Sequence, residues 1–219
     1  MRYKFYREHK YVSFALNDLE RRIAKTNFRS LKEVEEIKSE FEEIVQMLKG
    51  HAQYENNALH ELLKKKHSPV YVHVEEDHKH YDEALENLHL CLKEMIGEQG
   101  EENRVEMGYQ FYLQYRKFVG ENLLHLHEEE TMILPELQRL YTDEELKMVE
   151  ADTYRQMSPA EMIEMIGALF PHMNPDDKKA FLTDIQECQP SKFIEVWMGI
   201  QPHLNIEERK KLIETLKLD

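Results

Sequence analysis

Residues 51–55 read His51-Ala52-Gln53-Tyr54-Glu55, and residues 125–129 read His125-Leu126-His127-Glu128-Glu129. Each stretch is a His-x-x-x-Glu pair. Residues four apart on a helix share a face and lie about 6 Å apart along its axis. His51 and Glu55 can therefore reach one centre, as can His125 and Glu129. A segment with a single histidine precedes each pair. Aligning Glu8-His9-Lys10 with Asp77-His78-Lys79 sets Val12, Ala15, Leu16 and Leu19 against Tyr81, Ala84, Leu85 and Leu88. The region thus reads as two similar halves. In each, a helix bearing one histidine is followed by a helix bearing His-x-x-x-Glu.

The periodicity around these motifs sets the fold class. Phe5, Val12, Leu16, Leu19 and Ile23 define one face of a first helix over 2–26. Ser30-Leu31-Lys32-Glu33 is a capping box opening a second helix over 31–66, stopped by His67-Ser68-Pro69. A third helix is predicted over 72–96 and a fourth over 101–139, kinked near Pro135 because proline removes an amide donor. Four long helices joined by short turns predict an all-α, up-down-up-down four-helix bundle over 1–141.

Beyond Tyr141 the rhythm shortens. Thr142-Asp143-Glu144-Glu145 and Ser158-Pro159-Ala160-Glu161 are capping boxes, and Asn174 and Asn205 open further short helices. A 31-residue repeat runs through this region: Pro171-His172-Met173-Asn174 returns as Pro202-His203-Leu204-Asn205. Residues 142–219 are expected to form a C-terminal appendage of short helix hairpins. Met157, Met162, Met165, Met173 and Met198, with Phe170, Phe181, Phe193 and Trp197, are read as its core, the other reading being a groove for a protein partner.

Composition limits the function classes. In 219 residues, 43 Asp and Glu against 29 Lys and Arg give a net charge of −14, which disfavours nucleic acid as the main partner. No uncharged apolar run approaches the ~18 residues of a membrane span. The first residues are too charged for a secretory signal, and two distant cysteines suggest no disulfide framework. A cytoplasmic protein is expected. The 12 histidines are the unusual count.

Folding the two halves together brings His9, His51, His78 and His125 toward one cavity with Glu55 and Glu129. A carboxylate has two oxygens and can bridge two cations, so this set suits a dinuclear site. Imidazole and carboxylate donors favour Fe or Mn over a thiolate-loving metal, with Zn or Mn as substitutes for Fe. His60, His67 and His89 are read as solvated or interfacial, His172 and His203 as turn residues, and His73 is ambiguous.

These residues resemble the hemerythrin-like (HHE cation-binding) family over roughly residues 1–150. The resemblance rests on Arg7-Glu8-His9, His51-x-x-x-Glu55, Asp77-His78, and His125-x-x-x-Glu129 followed by Ile133-Leu134-Pro135. It implies an oxo- or hydroxo-bridged pair of Fe ions that meets O₂, NO or peroxide. His9 and His51 would serve one iron, His78 and His125 the other, with Glu55 and Glu129 bridging. One feature departs from the family's oxygen carriers, which place two histidines one turn apart on the third helix. Here Val74 and Asp82 lie one turn from His78. Asp82, His73 or water would complete the second iron, and sensing of O₂, NO or iron is expected rather than bulk O₂ carriage. The alternatives are a di-iron enzyme that consumes oxidants, and a helical interaction module with a structural or vestigial metal site. A protein partner or a homodimer through the C-terminal region belongs to either picture.

Overall fold

A computed structural model describes residues 2–218, the side chains of 71–78 excepted. Every element among the described residues is helical. The chain divides into two compact units, Val12–Leu137 and Met1–Tyr11 with Gln138–Asp219. The sequence suggested a boundary at 141/142. The structure groups the first eleven residues with the C-terminal ones, and the divisions fall inside helices α1 (His9–Ile23) and α6 (Leu134–Leu140).

The first helix begins at His9 rather than residue 2. Tyr6 takes a left-handed backbone conformation (φ 67°), which costs a side-chain-bearing residue about 1–2 kcal/mol and cannot continue into a helix upstream. Burial of the Phe5 and Tyr6 side chains offsets that cost.

The unit Val12–Leu137 contains the rest of α1, then α2 (Leu31–Tyr54), α3 (Glu61–Lys65), α4 (Val70–Gly97) and α5 (Glu101–Glu128). Ser30 caps α2 by accepting from the Glu33 amide. One apolar core joins four helices: Leu16 and Ile23 from α1, Ile37 and Phe41 from α2, Leu88 and Leu92 from α4, and Phe111 and Phe118 from α5. Buried Tyr115 donates its hydroxyl to the Leu16 carbonyl at 3.2 Å, tying α5 to α1. At the opposite end from the histidines, Arg104 fans across the carbonyls of Phe28, Arg29 and Glu98. Gly108 is required there: a Cβ would fall 2.2 Å from the Phe28 ring.

Two departures from regular helix matter for the site. The backbone widens into π-helical turns at Glu55–His60 and Glu129–Ile133. The second is closed by Leu134 N–H donating to the Glu129 carbonyl, five residues back. It lies just ahead of Pro135, where the sequence predicted a kink. The first has no proline to announce it.

The other unit carries α7 (Asp143–Gln156), α8 (Pro159–Leu169), α9 (Pro175–Cys188), α10 (Pro190–Ile200) and α11 (Ile206–Leu216). Capping boxes form at Thr142, Ser158 and Asn205, and Asn174 caps α9. The repeat appears as α8 and α9 joined by a 3₁₀ turn at Phe170–His172, then α10 and α11 joined by one at Gln201–His203. Met162, Met173, Phe170, Phe181, Phe193 and Trp197 are core, as the sequence indicated. Met198 is not: it is exposed on the outer side of α10. Lys192 closes the C-terminus of α7 by donating to the carbonyls of Tyr154, Arg155 and Met157.

The N-terminal segment clasps this unit. Arg7 pairs with Asp184 at 2.8 Å, both side chains nearly out of solvent. Tyr3 donates its hydroxyl to Asp184, Arg2 reaches Asp143, and Lys10 pairs with Asp177. Beside them, burial pushes the Glu150 carboxyl up to about 7. Negative Glu8 adds to the shift, while the Tyr154 hydroxyl and Arg7 oppose it. The folded state therefore holds this proton more tightly than the unfolded chain does. Its contribution is full below the ordinary glutamate range and is lost as pH rises to about 7. Glu150→Gln should raise stability above pH 7 by about 1–3 kcal/mol, a range discounted because the side chain is only partly shielded from solvent. It should leave stability at pH 4 nearly unchanged. Denaturant midpoints across pH 4–8 measure this.

Candidate metal centre

His9 opens α1, which runs unbroken to Ile23. His51 occupies the last turn of α2, and Glu55 begins the π-helical turn after it. His125 occupies the last turn of α5, and Glu129 begins the second π-helical turn. The two His-x-x-x-Glu pairs share one backbone construction. The Glu55 amide donates to the His51 and Ala52 carbonyls, and the Glu129 amide to those of His125 and Leu126. Their side chains match too: Nε2 to Oε1 is 3.2 Å in the first pair and 3.3 Å in the second.

One ligand atom from each of His9, His51, Glu55 and Glu129 lies within 4.8 Å of the other three. Metal–ligand bonds of about 2.0–2.2 Å put opposite donors about 4.0–4.4 Å apart. The four donors are thus close enough for one cation to be shared among them. The environment fits a cation. Glu55 is 0% exposed, Glu129 1% and His9 2%. Two carboxylates in such surroundings are costly without compensating positive charge. The donors are two nitrogens and two oxygens with no sulfur, a set for a divalent cation of hard to borderline character.

His125 is buried and pairs with Glu129, yet it stands outside the group of four mutually close donors. His78 and His73 lie outside the described residues. Glu128 is partly buried and Glu130 exposed, so Glu129 alone of the acidic run is enclosed.

A cavity of about 40 Å³ adjoins these donors, lined among others by His51, Glu55, His125, Tyr81, Asn122 and Leu126. Sequence reasoning missed Tyr81 and Asn122 as site residues. Helical spacing offers a signal for both: Asn122 is three residues before His125, and Tyr81 three after His78. Tyr81 stacks obliquely on His125 with ring centroids 5.0 Å apart and donates its hydroxyl to the Glu121 carbonyl. Asn122 donates its amide to the Phe118 carbonyl at 2.9 Å.

His60 was read from sequence as solvated or interfacial, and the structure corrects this: it is 2% exposed. In a regular helix, a residue five positions beyond Glu55 points well away from it. A π-helical turn takes up the extra residue and returns position 60 to the interior side. Its Nδ1 lies 3.0 Å from Asn56 Oδ1.

No helix among the described residues is long and apolar enough to cross a membrane. No family model matches the chain, and neither a curated protein nor a solved structure resembles it significantly.

Proposed function

We propose that this chain is a non-haem iron protein of the hemerythrin-like kind, which binds or senses O₂, NO or iron rather than carrying O₂ in bulk. On this reading α1, α2, α4 and α5 form an up-down-up-down bundle around two iron ions. The observation that carries it is the group of buried His9, Glu55 and Glu129 with partly buried His51, and with His125 set against Glu129 as His51 is against Glu55.

His9 and His51 would hold one ion, and His125 with His78 the second. Glu55 and Glu129, both buried, would bridge. Iron held there would supply a redox-active centre with a coordination position open to a small molecule. The protein's own part is enclosure and selection. A cavity of about 40 Å³ has room for a diatomic molecule or one or two waters. Tyr81 and Asn122, which line the recess, direct their donors to backbone carbonyls. With no second histidine one turn from His78, the second iron would be more labile and more open. That suits a sensor better than a carrier.

Anaerobic reconstitution with Fe(II), iron quantification and optical spectra before and after NO or air test the reading. About two irons per chain and absorption bands that respond to NO support it. Iron retention no higher than in a His51→Ala variant overturns it. Catalytic turnover of H₂O₂ that depends on Glu129 would instead favour the oxidant-consuming enzyme.

A further inference from the structure

The donors are enclosed, so a cation must reach them along some path. Two adjoining hollows supply one. The inner cavity touches His51, Glu55 and His125. A larger groove of about 600 Å³ lies between α2 and α4, bordered by Glu42 and Gln46 on α2 and by Glu86 and His89 on α4. The two hollows share three wall residues: Lys49 from α2, and Asp82 and Leu85 from α4. Leu85 is buried, while Lys49 and Asp82 are exposed. These three are the walls common to both hollows.

The charges along this path are ordered. Glu42, Asp82 and Glu86 outnumber Lys49, so the groove is net negative and concentrates cations at its mouth. Asp82 reaches both hollows yet is absent from the four mutually close donors. It is placed to receive a cation without keeping it.

We propose that the groove between α2 and α4 is the path by which a divalent cation reaches the buried donors, with Asp82 on the shared wall passing it inward and Lys49 holding it back. This rests on the metal-binding reading above and adds how that site is filled. Asp82 and Lys49 carry opposite charges on that shared wall, so their neutral variants must shift the loading rate in opposite directions. Salt must weaken both effects, because exposed charges are screened over about 10 Å at 0.1 M.

The test is stopped-flow loading of the full-length apoprotein with Co(II), followed by its visible absorption, with final occupancy from metal analysis. At low ionic strength Asp82→Asn should load about three- to tenfold more slowly than wild type, and Lys49→Gln faster by a similar factor. Both differences should shrink at 0.5 M salt, and final occupancy should match wild type. Unchanged rates in both variants at low salt overturn the path. Lower final occupancy in Asp82→Asn also overturns it, because Asp82 would then be a resident ligand. If wild-type protein takes up no Co(II), the metal-binding reading fails and the path with it.

Discussion

Glu129→Ala protein is expected to lose metal affinity by more than about a hundredfold while remaining folded. Glu129 is an enclosed carboxylate within 4.8 Å of donors from His9, His51 and Glu55, so its removal takes away both a ligand and a compensating charge. Truncation leaves a small void and removes the partner that stands 3.3 Å from His125, so the variant's metal response is read against its own metal-free midpoint. A metal at 100 times its Kd stabilises the wild type by about 2.7 kcal/mol. That gain should vanish in Glu129→Ala and in Glu55→Ala. Glu130→Ala, one residue along and exposed, should keep it. Thermal unfolding with and without metal reads all three. A persisting metal-induced shift in Glu129→Ala would remove that carboxylate from the site.

The second large effect concerns the clasp. Arg7→Ala strands Asp184, which is buried and otherwise held by the Tyr3 hydroxyl, with Lys147 at 3.9 Å. Breaking a buried ion pair from one side costs about 3–5 kcal/mol, and these remaining contacts place the expected loss near the lower figure. Asp184→Asn combined with Arg7→Ala should recover part of that loss, because no uncompensated charge remains. Denaturant unfolding monitored by Trp197 fluorescence measures it, since Trp197 sits in the core of the clasped unit. A loss below about 0.5 kcal/mol would show that the pair contributes only as an exposed one would.

The parts of this structure that were legible in the sequence are those set by local rules. Ser30, Thr142, Ser158, Asn174 and Asn205 all cap helices where their spacing to an acidic residue or proline indicated. The apolar stripe Val12, Leu16, Leu19 and Ile23 is core because its period is that of a helix. Histidine and glutamate four apart on one face were equally readable, and His51 with Glu55 and His125 with Glu129 stand side by side.

What escaped reading was backbone departing from the regular period. Left-handed Tyr6 delays α1 to His9, and no rule of propensity marks a tyrosine for that conformation. The π-helical turn at Glu55–His60 shifts the face of everything after it, and so His60, solvated by regular helical reckoning, is interior. The clasp was illegible for a different reason. Arg7 and Asp184 are separated by most of the chain, and their pairing depends on tertiary placement that no local pattern encodes. Tyr81 and Asn122 were passed over because a tyrosine and an asparagine are ordinary in a helix. Only the cavity beside His125 gives them a site to line.

On the proposed reading, nitrogen and oxygen donors from separate helices hold metal together. Crystals of the protein grown anaerobically with Fe(II), with data collected on either side of the iron absorption edge, test it most directly. An anomalous peak is expected among His9, His51, Glu55 and Glu129, with side-chain donors at about 2.0–2.2 Å, and a second peak beside His125. A map with no peak among those four residues, or with iron only at surface carboxylates, would contradict it.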